Sequence, residues 1–425
     1  VPFIRLFQQF DYPPFDSRTL RKNVRAHVAD GSLFVFAMSF ISVQTVLPVF
    51  VSQLGGSSLA VGSVGVLWTL GLNLPQALFI RLTHRPGPVK PVLLRYALLF
   101  RYFFLVLGVV VFAFGFMPVG LVIPSFLLLI AATAVAGSLG LAPWFQLFTK
   151  TTPVLLRGRL IAVRQLVGSL LGIVGGSVVA FVLSTFTAPL RYSILFFCAF
   201  LASIASYAFL RKIREECGAE ESTGEEFEHA GPGQIASVLR TDQRLRRYLI
   251  GDALILAAMT SSGFYAVYGL QKLDLPESAA GMFTMVSMAG MVIANLVFGH
   301  LADRYGHKLN LLLLLGSSLL SNLVVLLAGD VVMYAVAFVL MSFTISLQGI
   351  SRLPFVAELC SEADRPVYIA IVNTVTAPLI LVGVAAGAAA KAMGYEGVFW
   401  AYTVVAALGL WWFWRKVEEP RSGAG

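Results

Sequence analysis

Few acidic residues in this 425-residue chain stand where they could do chemistry, and two of them repeat a pattern. Asp30 follows Arg25 by five residues, Asp252 follows Arg247 by five, and each opens a long apolar run. A carboxylate inside such a run is a candidate proton or ion site, because a charge in hydrocarbon is retained only for function or with a partner. The weightier reading is structural. An acid about one turn inside a helix start is favoured by the helix dipole and paired with the preceding arginine. Between Gly31 and Arg214 there is no Asp or Glu, and all five histidines (His27, His84, His229, His300 and His307) fall at one end of the runs. Catalysis at depth needs a nucleophile with a base, or a metal site. No midplane His, H-E-x-x-H or paired Asp supplies one, and no P-loop offers nucleotide drive. The three cysteines are scattered, which indicates neither a metal site nor a disulfide framework. No metal, cofactor or enzymatic activity is expected.

Arg95, Arg101 and Arg164 also stand inside apolar runs. Arg101 lies about 16 Å along its run from Lys90 at 1.5 Å per residue. It is a candidate for an anionic substrate, although snorkelling or pairing with a backbone carbonyl has more weight.

The elements that position these residues are legible from composition. The chain is 58% hydrophobic and 12% charged, against about 25% charged in soluble domains. Apolar runs occur at 27–53, 59–81, 91–115, 119–147, 159–184, 190–211, 248–270, 278–301, 309–328, 331–356, 366–390 and 396–414. About 20 apolar residues cross a bilayer, and these runs lack the period-two alternation of barrel strands. The expected class is all-α: a polytopic membrane protein of twelve transmembrane helices in two pseudo-symmetric six-helix bundles. The net charge of +9 reflects cations clustered in alternate loops, the positive-inside pattern, and not a nucleic-acid partner. That pattern puts both termini in the cytoplasm and the protein in the cytoplasmic membrane of a prokaryote, as a monomer. No signal peptide is recognisable at Val1. Arg18, Arg21, Lys22 and Arg25 in the 1–26 tail suit anionic membrane lipids, or serve as an orientation signal alone. Residues 27–211 and 248–415 form the two bundles, 416–425 a tail, and 212–247 a cytoplasmic linker. The linker is first acidic and then a basic amphipathic surface helix.

The two halves repeat. Besides the Arg–Asp spacing, Arg157 to Gln165 aligns with Arg365 to Asn373, and Arg85-x-Gly87 with Arg304-x-Gly306. Equal orientation of the halves means a parallel repeat. Between runs eight and nine lies Gly299-His-Leu-Ala-Asp303-Arg304-Tyr-Gly306-His-Lys308. This turn resembles the cytoplasmic loop signature of the major facilitator superfamily, Gly-x-x-x-Asp-Arg-x-Gly-x-[Arg/Lys]. The first-half loop keeps Arg85 and Gly87 but has His84 where the Asp is expected. The glycine-rich stretch Gly168-x-x-x-Gly172-Ile-Val-Gly175-Gly176 resembles the family's antiporter motif without its Pro. Close helix packing by small residues is the preferred reading.

That resemblance implies a secondary or facilitative transporter working by alternating access. It brings each signature loop to the start of the span opposite. Asp303 then meets Arg157 and Arg159, and His84 with Arg85 meets Glu362 and Asp364, so that Gly299, Asp303, Arg304, Gly306 and Lys308 belong to a cytoplasmic gate. It also places Ser39, Ser42, Gln44, Asn73, Thr260, Ser261, Tyr265, Thr344, Gln348 and Asn373 as candidate cavity residues. Their neutral chemistry suits a small neutral, zwitterionic or amphipathic molecule. The alternative is a lipid or amphipathic-drug translocator or efflux carrier, proton-coupled through Asp30 or Asp252.

Overall fold

The structure is a computed structural model and describes residues 16–73, 88–215, 238–361 and 364–420. The described residues contain no strand; the chain is a polytopic helical membrane protein. Among them, nine helical segments are long and apolar enough to cross a membrane. The twelve expected runs account for these nine and for three more pieces. Run one is broken, run two is described only as far as Asn73, and runs eleven and twelve meet at Gly394, whose φ of +71° and ψ of 170° break the helix between them.

The chain divides into two compact units, Val1–Gly56 with Ser63–Glu220 and Leu275–Ala289, and Ser57–Gly62 with Glu221–Asp274 and Gly290–Gly425. In the first, α1 (Ser17–Ser39) packs on α6 (Val154–Thr185) and α7 (Leu190–Leu210), and α4 (Val89–Ala113) packs on α5 (Val119–Thr151) and α7. In the second, α11 (His307–Leu327) packs on α12 (Val331–Glu358) and α14 (Val382–Lys416), and α8 (Gln243–Met259) packs on α14. The remaining helices are α2 (Val46–Gln53), α3 (Ser58–Asn73), α9 (Ser262–Lys272), α10 (Ala279–Tyr305) and α13 (Arg365–Thr376).

The expectation that run one is a single helix is corrected. Run one stops at Ser39 and restarts at Val46. Pro48 explains this, because proline has no N–H and its ring clashes with the carbonyl four residues back, here Gln44. Run seven continues through Thr260 and Ser261 with right-handed helical backbone (φ −67°, ψ −16° and φ −56°, ψ −34°) and only tightens its turn there. There three consecutive hydroxyls, Thr260, Ser261 and Ser262, donate to the carbonyls of Ala257, Ala258 and Met259 at 2.7–2.9 Å. Back-bonding of this kind competes with the helical ladder.

α1 also starts earlier than the apolar run. Asp16 accepts from the Thr19 N–H at 2.8 Å, and these hydrogen bonds hold its carboxyl below the usual range. Helix therefore begins ten residues before residue 27. Exposed Arg18, Arg21, Lys22 and Arg25 lie along one side, with Leu20, Val24 and His27 buried on the other.

The glycines of α6 serve close packing. A Cβ on Gly168 would meet Val35 at 2.6 Å, and one on Gly176 would meet the Gly281 carbonyl at 2.8 Å. A Cβ on Gly281 would sit 2.2 Å from the Ala180 backbone nitrogen. Gly281→Leu is therefore expected to cost about 1–3 kcal/mol by overpacking, read as a lower melting temperature of the purified protein. Gly316→Ala, whose Cβ meets nothing within 4 Å, is expected to hold or raise it by up to about 1 kcal/mol.

Candidate functional site

Each unit buries one aspartate of the repeated pattern, and neither aspartate pairs with the arginine that precedes it in sequence. In the first unit Asp30 lies 3.8 Å from Arg101 and 3.5 Å from Arg164 and accepts from the Ser206 hydroxyl at 2.8 Å. Arg25 is exposed. The partners of Asp30 stand twelve residues along α4 and ten along α6.

The two arginines differ. Arg101 is saturated: it donates to the carbonyls of Ser203 (2.7 Å) and Ala97 (2.8 Å) and to the Ser206 hydroxyl (3.0 Å). This agrees with the backbone-carbonyl reading made from sequence. Arg164 has the 3.5 Å contact to Asp30, and its guanidinium lies 4.7 Å from the Trp144 ring centroid. Its Nε is buried without a hydrogen-bond partner. Gly31 is what lets it in, since a Cβ there would sit 1.8 Å from that Nε.

In the second unit Asp252 is wholly buried and is held by both Nε (2.8 Å) and Nη2 (2.7 Å) of Arg352. Such a bidentate fork is the strongest form of the ion pair. The Arg352 fork also reaches Asn373 (3.3 Å) and Thr376 (3.1 Å). Arg352 was missed from sequence, although the signal was there: it is the sole charged residue in the 331–356 run.

The signature turn is closed by a residue that sequence reasoning also missed. Gly306 has φ +84°, open to glycine without strain, and the Glu419 carboxylate lies against it while accepting from the Lys308 N–H at 3.0 Å. In the first unit Glu215 accepts from the Val89 and Lys90 N–H groups at 2.9 and 2.8 Å. In both units a glutamate just past the last helix caps the start of a helix in the same repeat position. The signal is Arg211-Lys-Ile-Arg-Glu215 against Arg415-Lys-Val-Glu-Glu419. Arg191 pairs with Glu277, which also accepts from the Tyr192 hydroxyl at 2.6 Å.

The cavity candidates separate by exposure. Ser39, Ser261, Tyr265 and Thr344 are buried. Tyr265 donates to Asn322 at 2.9 Å within the second unit, and Ser39 and Thr344 bond their own helix carbonyls. Ser42, Gln44, Thr260 and Gln348 are half-buried, the first two at the break in run one and Thr260 at the tightened turn of run seven, and Asn73 and Asn373 are exposed. Of the gate candidates, Asp303, Arg304, Arg159 and Asp364 are exposed, and Arg157 donates to the Thr149 and Thr152 carbonyls. A Cβ added at Gly299 would meet nothing within 4 Å. His84, Arg85 and Glu362 lie outside the described residues. Among the described residues no group of His, Cys, Asp and Glu could hold a metal.

Residues 250–425 match the family model of the Major Facilitator Superfamily. No curated protein matches the chain. Three solved structures share the fold. The nucleoside transporter NupG has a TM-score of 0.70 at 13% identity, over 92% of this chain and 98% of that one. A D-xylose–proton symporter gives 0.70 at 16%, over 95% and 99%. A bacterial homologue of the human lysosomal transporter Spinster, in an inward-facing unoccupied conformation, gives 0.66 at 12%, over 94% and 97%.

The Asp252–Arg352 pair yields a stability test. Asp252→Asn or Arg352→Gln alone leaves an unpaired buried charge and is expected to cost about 3–5 kcal/mol. The double variant removes both charges and is expected to recover most of that loss, read in thermal melts of the purified protein.

Proposed function

With residues 250–425 in the Major Facilitator Superfamily and a fold shared with its transporters along the chain, we propose that this protein is a secondary transporter. It moves a small neutral, zwitterionic or amphipathic molecule by alternating access. The observation that carries the reading is the helix break at Phe40–Thr45 in run one, joined by the tightened turn at Thr260–Ser261 in run seven. Non-helical backbone at membrane depth is tolerated where it is buried in protein or lines a water-filled cavity. Transporters of repeated topology use such discontinuous helices to form binding sites near the midplane. Half-buried Ser42 and Gln44 lie at the break and Thr260 at the tightened turn, and Gln348 and Asn373 extend the polar set.

The bundles of this reading are 27–211 and 248–415, with 212–247 between them. The cations of alternate loops support cytoplasmic termini and a prokaryotic cytoplasmic membrane. Gly299, Asp303, Arg304, Gly306 and Lys308, together with Arg157 and Arg159, form the cytoplasmic gate. In the outward-open state Asp303 engages those arginines. Their opposite signs and exposure support this role.

Purified protein in liposomes, screened with labelled nucleosides, sugars, peptides and amphipaths with and without a pH gradient, tests the reading. Saturable flux of at least one class is expected, and Ser42→Ala with Thr260→Val is expected to cut it about tenfold, the weight of one or two lost hydrogen bonds. Absence of flux across the whole screen counts against transport. Asp303→Asn is expected to shift thiol-labelling accessibility toward the inward-open state, and unchanged labelling removes the gate.

A further inference from the structure

The charge cluster of the first unit does not balance. Arginine is always ionised in proteins, so Arg101 and Arg164 bring two positive charges to the single negative charge of Asp30. The second unit balances its own, with Arg352 alone on Asp252. Among the described residues no other carboxylate pairs with Arg101 or Arg164. There is none between Gly31 and Arg214, Glu215 is committed to the start of α4, and Glu277 to Arg191 and Tyr192. An unpaired charge away from water is costly, and such a charge requires a partner.

The surplus is localised on Arg164. Arg101 has three close hydrogen bonds, whereas Arg164 has one contact at 3.5 Å and an Nε with no partner. The side chains of Asp30 and Arg101 are each 5% exposed, against 12% for Arg164, so it is the member that something outside the cluster can reach. His27 lies four residues before Gly31, on the same face of α1, and its Nδ1 is also buried without a partner. Its Nε2 is occupied by Thr151 at 2.9 Å. Trp144 backs the guanidinium, its ring centroid 4.7 Å from Cζ.

We propose that Arg164 is an oxyanion-binding residue, the place where the carboxylate or phosphate of the transported molecule is recognised. Planar guanidinium forks match both groups, and the bound anion completes the charge balance that Asp30 leaves short. This rests on the transporter reading and narrows its substrate class to molecules that carry an anionic group, zwitterions and anionic amphipaths among them.

The test is thermal stabilisation of the purified full-length protein by sodium acetate, inorganic phosphate and a short-chain phosphatidic acid, each against sodium chloride at equal ionic strength. Acetate separates carboxylate from phosphate recognition, and the short-chain lipid separates a lipid headgroup from a free anion. At least one of the three is expected to stabilise beyond chloride. Arg164→Gln is expected to weaken that response by more than about tenfold, the weight of a charge-assisted hydrogen bond, while exposed Arg95→Gln leaves it unchanged. Asp30 keeps Arg101 in Arg164→Gln, so the variant retains a balanced pair. Arg164→Lys, which keeps the charge and loses the fork, serves as a second variant and is expected to respond more weakly than wild type. No stabilisation beyond chloride in wild type, or stabilisation that survives both substitutions, overturns the site. Flux of an uncharged solute alongside either of those results removes the anion site and leaves the transporter reading standing. An Arg164-dependent response without flux of any solute supports the site and removes the transporter reading.

Discussion

A charge taken out of water must take its counter-charge along, and the interior of this protein is arranged around that requirement. Asp30 and Asp252 are nearly or wholly buried. Each is neutralised by arginines from helices far away in sequence, and each of those arginines then needs its own acceptors. The Ser203 carbonyl and Ser206 hydroxyl on α7, and Asn373 and Thr376 on α13, take up that role. One buried carboxylate thereby ties α1 to α4, α6 and α7, and another ties α8 to α12, with α13 joined through Arg352. These ties are directional, in contrast to the apolar contacts around them, where one aliphatic side chain replaces another at modest loss.

The bilayer imposes the matching condition on the backbone. Helices satisfy it by default, so the interruption in run one is informative: with Pro48 it opens over Phe40–Thr45, whereas run seven keeps helical backbone through Thr260 and Ser261 and only tightens its turn there. The helix starts at the signature loops follow a similar logic. Glu215 and Glu419 come from the ends of α7 and α14 to cap α4 and α11, so each unit closes its own loop with its own tail.

The halves depart from strict repetition where the chemistry differs. The second has a one-to-one bidentate pair, and the first a two-to-one cluster with an under-coordinated member. A repeat kept only for packing would not need that difference, and it gives the first unit an electrostatic character that the second lacks.

The sequence alone determined the class, the number of apolar runs, the repeat and the family resemblance, because these depend on composition, local periodicity and motif spacing. It singled out Asp30, Asp252, Arg101 and Arg164 because a charge in an apolar run stands out without any structure. It did not determine their partners. Arg25 and Arg247 are near Asp30 and Asp252 in sequence, but Arg25 lies exposed, and the partners that hold the two acids come from about 70 to 135 residues away, at distances set by helix packing. Arg352, Glu215 and Glu419 were present as a lone cation and a repeated five-residue tail, and became meaningful only once the helices that carry them were placed. The start of α1 was also decided outside the apolar run. α1 begins at a polar cap well before its apolar run, and hydropathy registers where a helix is greasy, not where it starts.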